Sequence, residues 1–336
     1  MKRLVAVLAC GAFIALATPA LADDASAQLG AGGIVFTRSA DIRMAKEDLY
    51  ISPKKVRIRF EFANTSGKDQ DVVVAFPLPD LLCDRHTSLG TVGNDPVNFV
   101  NFTASVDGRK VPLRVEQKAM FNGKDVTGIV HAAGLPVNLV ISGRGDDSDR
   151  FDLIDKLPRA KKAILEKAGI AEGTGDPKRH DQEETLWVVQ TRFYWKQHFP
   201  AGKTVVIEHS YSPVSGTAQY FENKEIGAPS QEDWIKPFCI DKATMAHLAA
   251  MLDDPKLRPK HELVGMWGSV TDYILSTANL WKGPIGQFHL TLDKLDPKAV
   301  LSLCWKGTLK KSGPATFDFS AANFAPTQDI HMAVFR

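Results

Sequence analysis

Net charge is the first thing this sequence lacks. Over 336 residues, 41 Lys and Arg stand against 39 Asp and Glu. Two of the basic residues, Lys2 and Arg3, belong to an amino-terminal leader, and without them the signs balance. A neutral chain gives no electrostatic reason to bind nucleic acid or anionic lipid, so neither is expected as a partner. Long apolar runs are also missing: past the leader, no stretch reaches the roughly 18 residues that span a bilayer. Nine histidines are present, yet none forms a His-x-x-x-His, Cys-x-x-Cys or His-Glu-x-x-His spacing, and no metal or other cofactor is expected. The Gly-x-Ser-x-Gly elbow of serine hydrolases is absent. The glycines of Leu29-Gly30-Ala31-Gly32-Gly33 precede no Gly-Lys-Ser/Thr, so they read as backbone freedom, not as a phosphate cradle.

What is present begins with a secretory leader. Met1-Lys2-Arg3 is positive, Leu4 to Ala17 is apolar, and Ala20-Leu21-Ala22 is a small-x-small cleavage site. Cleavage after Ala22 and a periplasmic location are expected, with no transmembrane span left in the mature chain. Three cysteines then remain, Cys83, Cys239 and Cys304. In an oxidising compartment that odd count allows one bridge within the chain. All three pairings are open; Cys239–Cys304 is favoured because both lie in the carboxy-terminal third beside core-like Phe238 and Trp305.

The body of the chain alternates with the period of β-strands. Val56, Ile58, Phe60 and Phe62 interleave with Arg57, Arg59 and Glu61, turn residues follow, and Val72 to Phe76 is a second apolar strand ended by Pro77 and Pro79. This predicts a hairpin. Thr185 to Tyr211 repeats the layout: Trp187, Val189, Thr191, Phe193 and Trp195 share one face, Pro200-Ala201-Gly202 turns, and Val205, Ile207, His209 and Tyr211 return. Short strands recur through the carboxy-terminal third. Helical spacing appears twice: over Ala160–Ala168, stopped by Gly169, and over Lys242–Leu252, where Asp241 is the N-cap. The fold class is therefore mainly β, an antiparallel sandwich or sandwiches with a small helical insertion near 150–170 and one helix near 242–252. Residues 1–22 form the leader, 23–145 an amino-terminal sandwich part, 146–184 an insertion, and 185–336 a carboxy-terminal part packed with the first as one unit.

Candidate chemistry is sparse. Leu81-Leu82 deliver the chain into Cys83, Asp84, Arg85 and His86, the densest cluster of polar and ligand-type residues, at an expected sheet rim. Asp84, Arg85 and His86 are candidate binding residues there. Cys83 as nucleophile with His86 as base is the sharpest enzymatic alternative, since a reactive thiolate needs a nearby base and access. Tryptophan at strand period, as in Trp187 and Trp195, is ordinarily core. Trp234, Trp267 and Trp281 lie in loop-like sequence and are the aromatic candidates for contact with a protein or an envelope glycan. His209, sharing a strand face with Ile207 and Tyr211, reads as a core histidine.

Several short stretches also carry a resemblance: Leu29 to Phe36, Glu47-Asp-Leu-Tyr-Ile-Ser52, Val74-Ala-Phe-Pro-Leu-Pro79, Phe193-Tyr-Trp195, Phe199-Pro-Ala-Gly202, His209-Ser-Tyr211, Phe238-Cys-Ile-Asp241 and Ser302-Leu-Cys304. In these the chain resembles a bacterial secreted domain-of-unknown-function family, number 4424 of that class, over most of its mature length. The resemblance implies no activity and no catalytic residue. The stretch ending in Phe-Pro-Leu-Pro is also similar to sandwich domains of the vault and inter-alpha-trypsin type, an analogy of fold alone. The expected function is a non-enzymatic binding or envelope-assembly module of the periplasm; the alternative is a hydrolase or thiol enzyme at residues 83–86.

Overall fold

The computed structural model describes residues 25–30, 33–83, 93, 95–142, 152–173, 183–221, 238–252 and 265–336. The leader expected at 1–22 lies outside them. Two large sheets face each other. One, of eight strands, runs in the order Lys310–Lys311, Thr316–Phe324, Ile285–Asp293, Ile42–Ser52, Lys55–Asn64, Thr204–Tyr211, Thr103–Val106 and Arg109–Lys110. The other, of seven, runs Lys124–Asp125, Arg114–Phe121, Val188–Phe199, Gln70–Pro77, Ala25–Gly30 and Gly33–Phe36, with Leu81–Leu82 also against Val188–Phe199. A smaller sheet of four, Gly216–Phe221, Gly265–Tyr273, Ile330–Phe335 and Val300–Leu303, adjoins them.

The expected mainly-β class with few helices and antiparallel sheets holds, but the hairpins do not. Lys55–Asn64 lies in the eight-stranded sheet and Gln70–Pro77 in the seven-stranded one. The turn between them crosses the sandwich, so the pair is an arch whose two apolar faces look at each other across the core. Val188–Phe199 and Thr204–Tyr211 form a second arch in the same way. The two arches are stacked: Phe76 pairs with Phe193 in one sheet, and Phe60 with Ile207 in the other. Alternation sets which side chains turn inward, and either a hairpin or an arch satisfies it. The turns are locked together where they meet. Asn64 Nδ2 donates to the Phe199 carbonyl at 2.9 Å and Ala201 N donates to Asp69 Oδ1 at 2.8 Å.

Between the sheets the core is aromatic. Phe102 stacks on Phe193 with centroids 4.4 Å apart, and Phe76 stacks on Phe102 at 5.0 Å. Trp187 and Trp195 are buried, as strand-period tryptophans should be. His209 is buried among Phe60, Phe76, Phe102 and Trp195, and this apolar burial holds its pKa down at about 3.

The outer face of the seven-stranded sheet has its own small core of Ala27, Ile34 and Ala75. The strand Gly33–Phe36 is clamped over it: Glu116 accepts from Ile34 N at 2.8 Å, Arg192 donates to the Ile34 carbonyl at 3.3 Å, and the two side chains pair at 2.8 Å. One pairing in the eight-stranded sheet is parallel, Ile285–Asp293 beside Ile42–Ser52. There Ile42–Ser52 carries a bulge between Met44 and Lys46. A Cβ on Gly286 would sit 2.4 Å from the Ala45 carbonyl oxygen, so glycine is required for the two backbones to approach.

Arg159–Lys167 and Lys242–Leu252 are the two helices expected from spacing. Asp241 caps the second, accepting from Thr244 N at 2.7 Å. Two short helices, Thr127–Ala133 and Leu139–Ser142, occupy sequence that reads as irregular. They are too brief to show a helical repeat, and Gly134 at φ 87° stops the first. Cys239 and Cys304 are joined, with Cα atoms 5.0 Å apart. The bridge fastens the segment ahead of the Lys242–Leu252 helix to the end of Val300–Leu303, beside a small core of Phe238, Ile240, Leu248, Ala333 and Phe335.

Candidate functional site

A pocket opens where the three sheets come together. The first arch leaves its strand at Pro77, and Leu78, whose N–H donates to the Thr191 carbonyl at 2.9 Å, begins one wall with Pro79 and Leu81. The second arch leaves its strand at Tyr211. Ser212 N then donates to the Val100 carbonyl, and Pro213 and Val214 carry the chain into the four-stranded sheet as the opposite wall. That sheet contributes Val270 and Asp272; Gly216 pairs directly with Val270. Val100 and Tyr211, both buried, lie at the base. The cavity measures about 150 Å³. That is the size of an apolar cavity able to take one benzene-sized group.

Two carboxylates are the charged groups among the described residues lining it, Asp80 and Asp272. Asp80 sits at the mouth. Gln190 Nε2 donates to its Oδ2 at 3.1 Å. Loss of surrounding water to neighbouring protein raises its pKa above the ordinary carboxylate value, although the Gln190 hydrogen bond and the charge of Arg192 pull the other way. Asp272 stands opposite His331 across a strand pair, Oδ1 to Nδ1 2.8 Å. The hydrogen bond to Asp272 raises the His331 pKa, against a smaller opposing effect of burial. Leu81, Tyr211, Gly216, Val270 and Asp272 are placed by strands and the other lining groups by connections between strands, so the walls are preformed.

The residues expected from sequence are distributed differently. Cys83 lies just beyond the pocket wall but is fully buried; its N–H donates to the Trp187 carbonyl at 3.2 Å, and its carbonyl accepts from the Thr185 hydroxyl. Asp84, Arg85, His86 and Trp234 lie outside the described residues. Trp267 is on the strand Gly265–Tyr273, and its side chain is likewise outside them. Trp281 corrects the expectation of an exposed loop tryptophan. A 3₁₀ turn at Ser276–Leu280 feeds it into the main core, where its ring lies 4.6 Å from that of Phe62 and none of it is accessible. Among the described residues, no group of three or more His, Cys, Asp or Glu is arranged to hold a metal.

Asp80, Asp272 and His331 are missed by reading the chain alone. Asp80 closes a Pro-x-Pro turn and looks like solvated punctuation. Asp272 and His331 are ordinary alternating strand residues until the register of their sheet is known. A second, more open cleft of about 320 Å³ on the outer face of the eight-stranded sheet is lined by Asp48, Tyr50, Arg57, Arg59, Glu208 and His289. Its charges are largely matched by one another, as in Arg59 with Glu61 and Glu208, and it reads as a solvated sheet face.

Comparison with solved structures gives distant likenesses. A Legionella pneumophila protein described as a candidate nutrient binding protein is 13% identical, with TM-score 0.42 over 89% of this chain and 68% of that one. An M1 zinc metallopeptidase from Deinococcus radiodurans is 7% identical, with TM-score 0.26 over 89% of this chain. The aligned part is 43% of the peptidase, so this chain spans less than half its length. Neither likeness carries an argument about function. No curated protein matches the sequence. Residues 22–332 do match the family described as a domain of unknown function, DUF4424, and the chain, covered over nearly its whole length, belongs to that family.

Proposed function

We propose that this chain is a periplasmic, non-enzymatic binding or envelope-assembly module that receives a partner at the junction of its three sheets. The observation that carries the reading is the pocket itself: apolar walls, an acidic mouth, and lining groups held by strands and by the connections between them. Such preformed concavities with a few polar groups are the usual form of a binding site. The leader of Met1–Ala22 and the bridge between Cys239 and Cys304 both suit an oxidising compartment outside the cytoplasm. No helix among the described residues is long and apolar enough to cross a membrane.

The thiol-enzyme alternative at Cys83 and His86 needs a sulfur that a substrate can reach, and the burial of Cys83 argues against it. Iodoacetamide at neutral pH is expected to leave Cys83 unmodified in the folded protein; rapid alkylation would revive that reading.

The binding reading is tested in cells with a photo-crosslinking amino acid in place of Leu82, which is exposed and adjoins the pocket wall. A control carries it at Lys310, on the far edge of the eight-stranded sheet. A discrete adduct from position 82 and none from 310, recovered in the periplasmic fraction, is the expected result. No adduct from position 82, or the same products from both, would overturn the reading.

A further inference from the structure

We infer that the occupant of the junction pocket is the lysine side chain of a protein partner, its stem against the apolar walls and its ammonium at the acidic mouth. This rests on the binding reading above and narrows it to one chemistry.

Size is the first constraint. A cavity of about 150 Å³ holds one side chain and excludes a folded element or a sugar chain. Shape and polarity are the second. The base and sides are hydrocarbon, from Val100, Leu81, Val214 and Val270, while the charged groups lie on strand ends and the exit turn. An occupant that matches must be apolar along its length and polar at one end, which is the character of the amphipathic side chains. Sign is the third. The charged lining residues are Asp80 and Asp272, both acids, and no basic residue lines the cavity among the described residues. A carboxylate or phosphate would meet like charge; a cation meets opposite charge. Asp272 is already paired with His331 at 2.8 Å, whereas Asp80 is engaged by the neutral amide of Gln190, so among the described residues it is the Asp80 charge that no direct ion pair offsets. Lysine fits better than arginine, because its ammonium is a compact charge on a flexible methylene stem, whereas guanidinium asks for a flat, forked acceptor. Asp80 is exposed while Val100 and Tyr211 are buried, so the acidic end of the pocket faces outward and leaves the partner's backbone outside. That arrangement favours a side chain carried by a protein over a free metabolite.

The test uses the full mature chain and defined probes. Nα-acetyl-lysine N-methylamide is titrated against the methyl NMR signals of Leu81, Val214 and Val270, with the norleucine analogue, which lacks only the terminal ammonium, and the glutamate analogue beside it. The lysine probe is expected to shift these signals saturably, the norleucine probe at least tenfold more weakly, and the glutamate probe not at all. Asp80→Asn, at an exposed position, is expected to weaken the lysine probe about tenfold while leaving the methyl spectrum of the unbound protein in place. Raising the salt concentration on the native sequence gives a second reading of the same charge, independent of any variant. Equal binding of lysine and norleucine probes, or no shift with either, would overturn the inference. If the crosslinker at position 82 still captures a partner in that case, the binding reading stands and only the lysine assignment falls; if it captures none, both fall.

Discussion

The interior between the two large sheets and the region around the Lys242–Leu252 helix are stabilised by different means. Between the large sheets, rings stack from Phe76 through Phe102 to Phe193, and one continuous core takes in both sheets and the face of the four-stranded sheet that carries Tyr273, Ile330, Met332 and Val334. Among the described residues, the region around the Lys242–Leu252 helix has a core of five buried residues and a covalent bridge beside it. A small apolar cluster leaves little margin over the conformational entropy of ordering its chain, and a cross-link that closes a long loop reduces that entropy in the unfolded state. Aromatic burial thus carries the first region and a disulfide supplements the second.

The comparison is broken most severely in the aromatic stack. Phe193→Ala is expected to cost about 3–5 kcal/mol, seen as a lower urea midpoint for the whole sandwich in one transition. Loss limited to one edge would show that the core is not continuous. Removing the bridge by Cys239→Ala with Cys304→Ala is expected to cost about 2–4 kcal/mol. Here hydrogen exchange should rise at Leu248 and Phe335 while Phe60 and Ile207 stay protected; uniform loss of protection would erase the distinction between the regions.

Acid probes the stack without a mutation. His209, held at about pKa 3 by burial, stays neutral in the folded chain while the unfolded chain takes up a proton near pH 6.5. Stability from this group is therefore full above pH 6.5 and is lost as pH falls toward 3, by about 3 kcal/mol at pH 4. His209→Phe, which keeps an aromatic ring among aromatic neighbours, should flatten that dependence in urea melts taken at pH 7 and pH 4. An unchanged slope would show that other groups control it. Smallest is Gly286→Ala, at about 1–3 kcal/mol, because the added methyl meets the backbone of the bulge at Ala45. A neutral effect would mean that the bulge yields.

Much of the strand content was legible in the residues, because burial on one face leaves a period of two. Val56 to Phe62 and Val205 to Tyr211 point their apolar side chains inward as their alternation requires. Which strand each one pairs with was not legible. The residues of an arch and of a hairpin have the same inward-facing pattern, and the choice between them depends on partners more than a hundred positions away. The same limit hid the pocket: Leu78, Val214 and Val270 come from three separate stretches and meet only when all three sheets are in place. Trp281 was misread for a related reason. Apart from Leu280 its near neighbours are small, polar or turn-forming, and only the route of the 3₁₀ turn before it shows that it enters the core. Asp241, by contrast, caps its own helix three residues on, so a local pattern was enough.

The parallel pairing of Ile285–Asp293 with Ile42–Ser52 has a consequence for the order in which the protein is assembled. Tyr50 donates to Asp293 Oδ2 at 2.8 Å across 243 positions of sequence. During synthesis the strand that emerges among the first has one flank without its native neighbour until almost the whole polypeptide has followed. Long-range pairings of this kind slow folding, and an open strand flank invites association with other nascent chains. The growing chain is therefore expected to benefit from a holding chaperone until the strand Ile285–Asp293 has arrived.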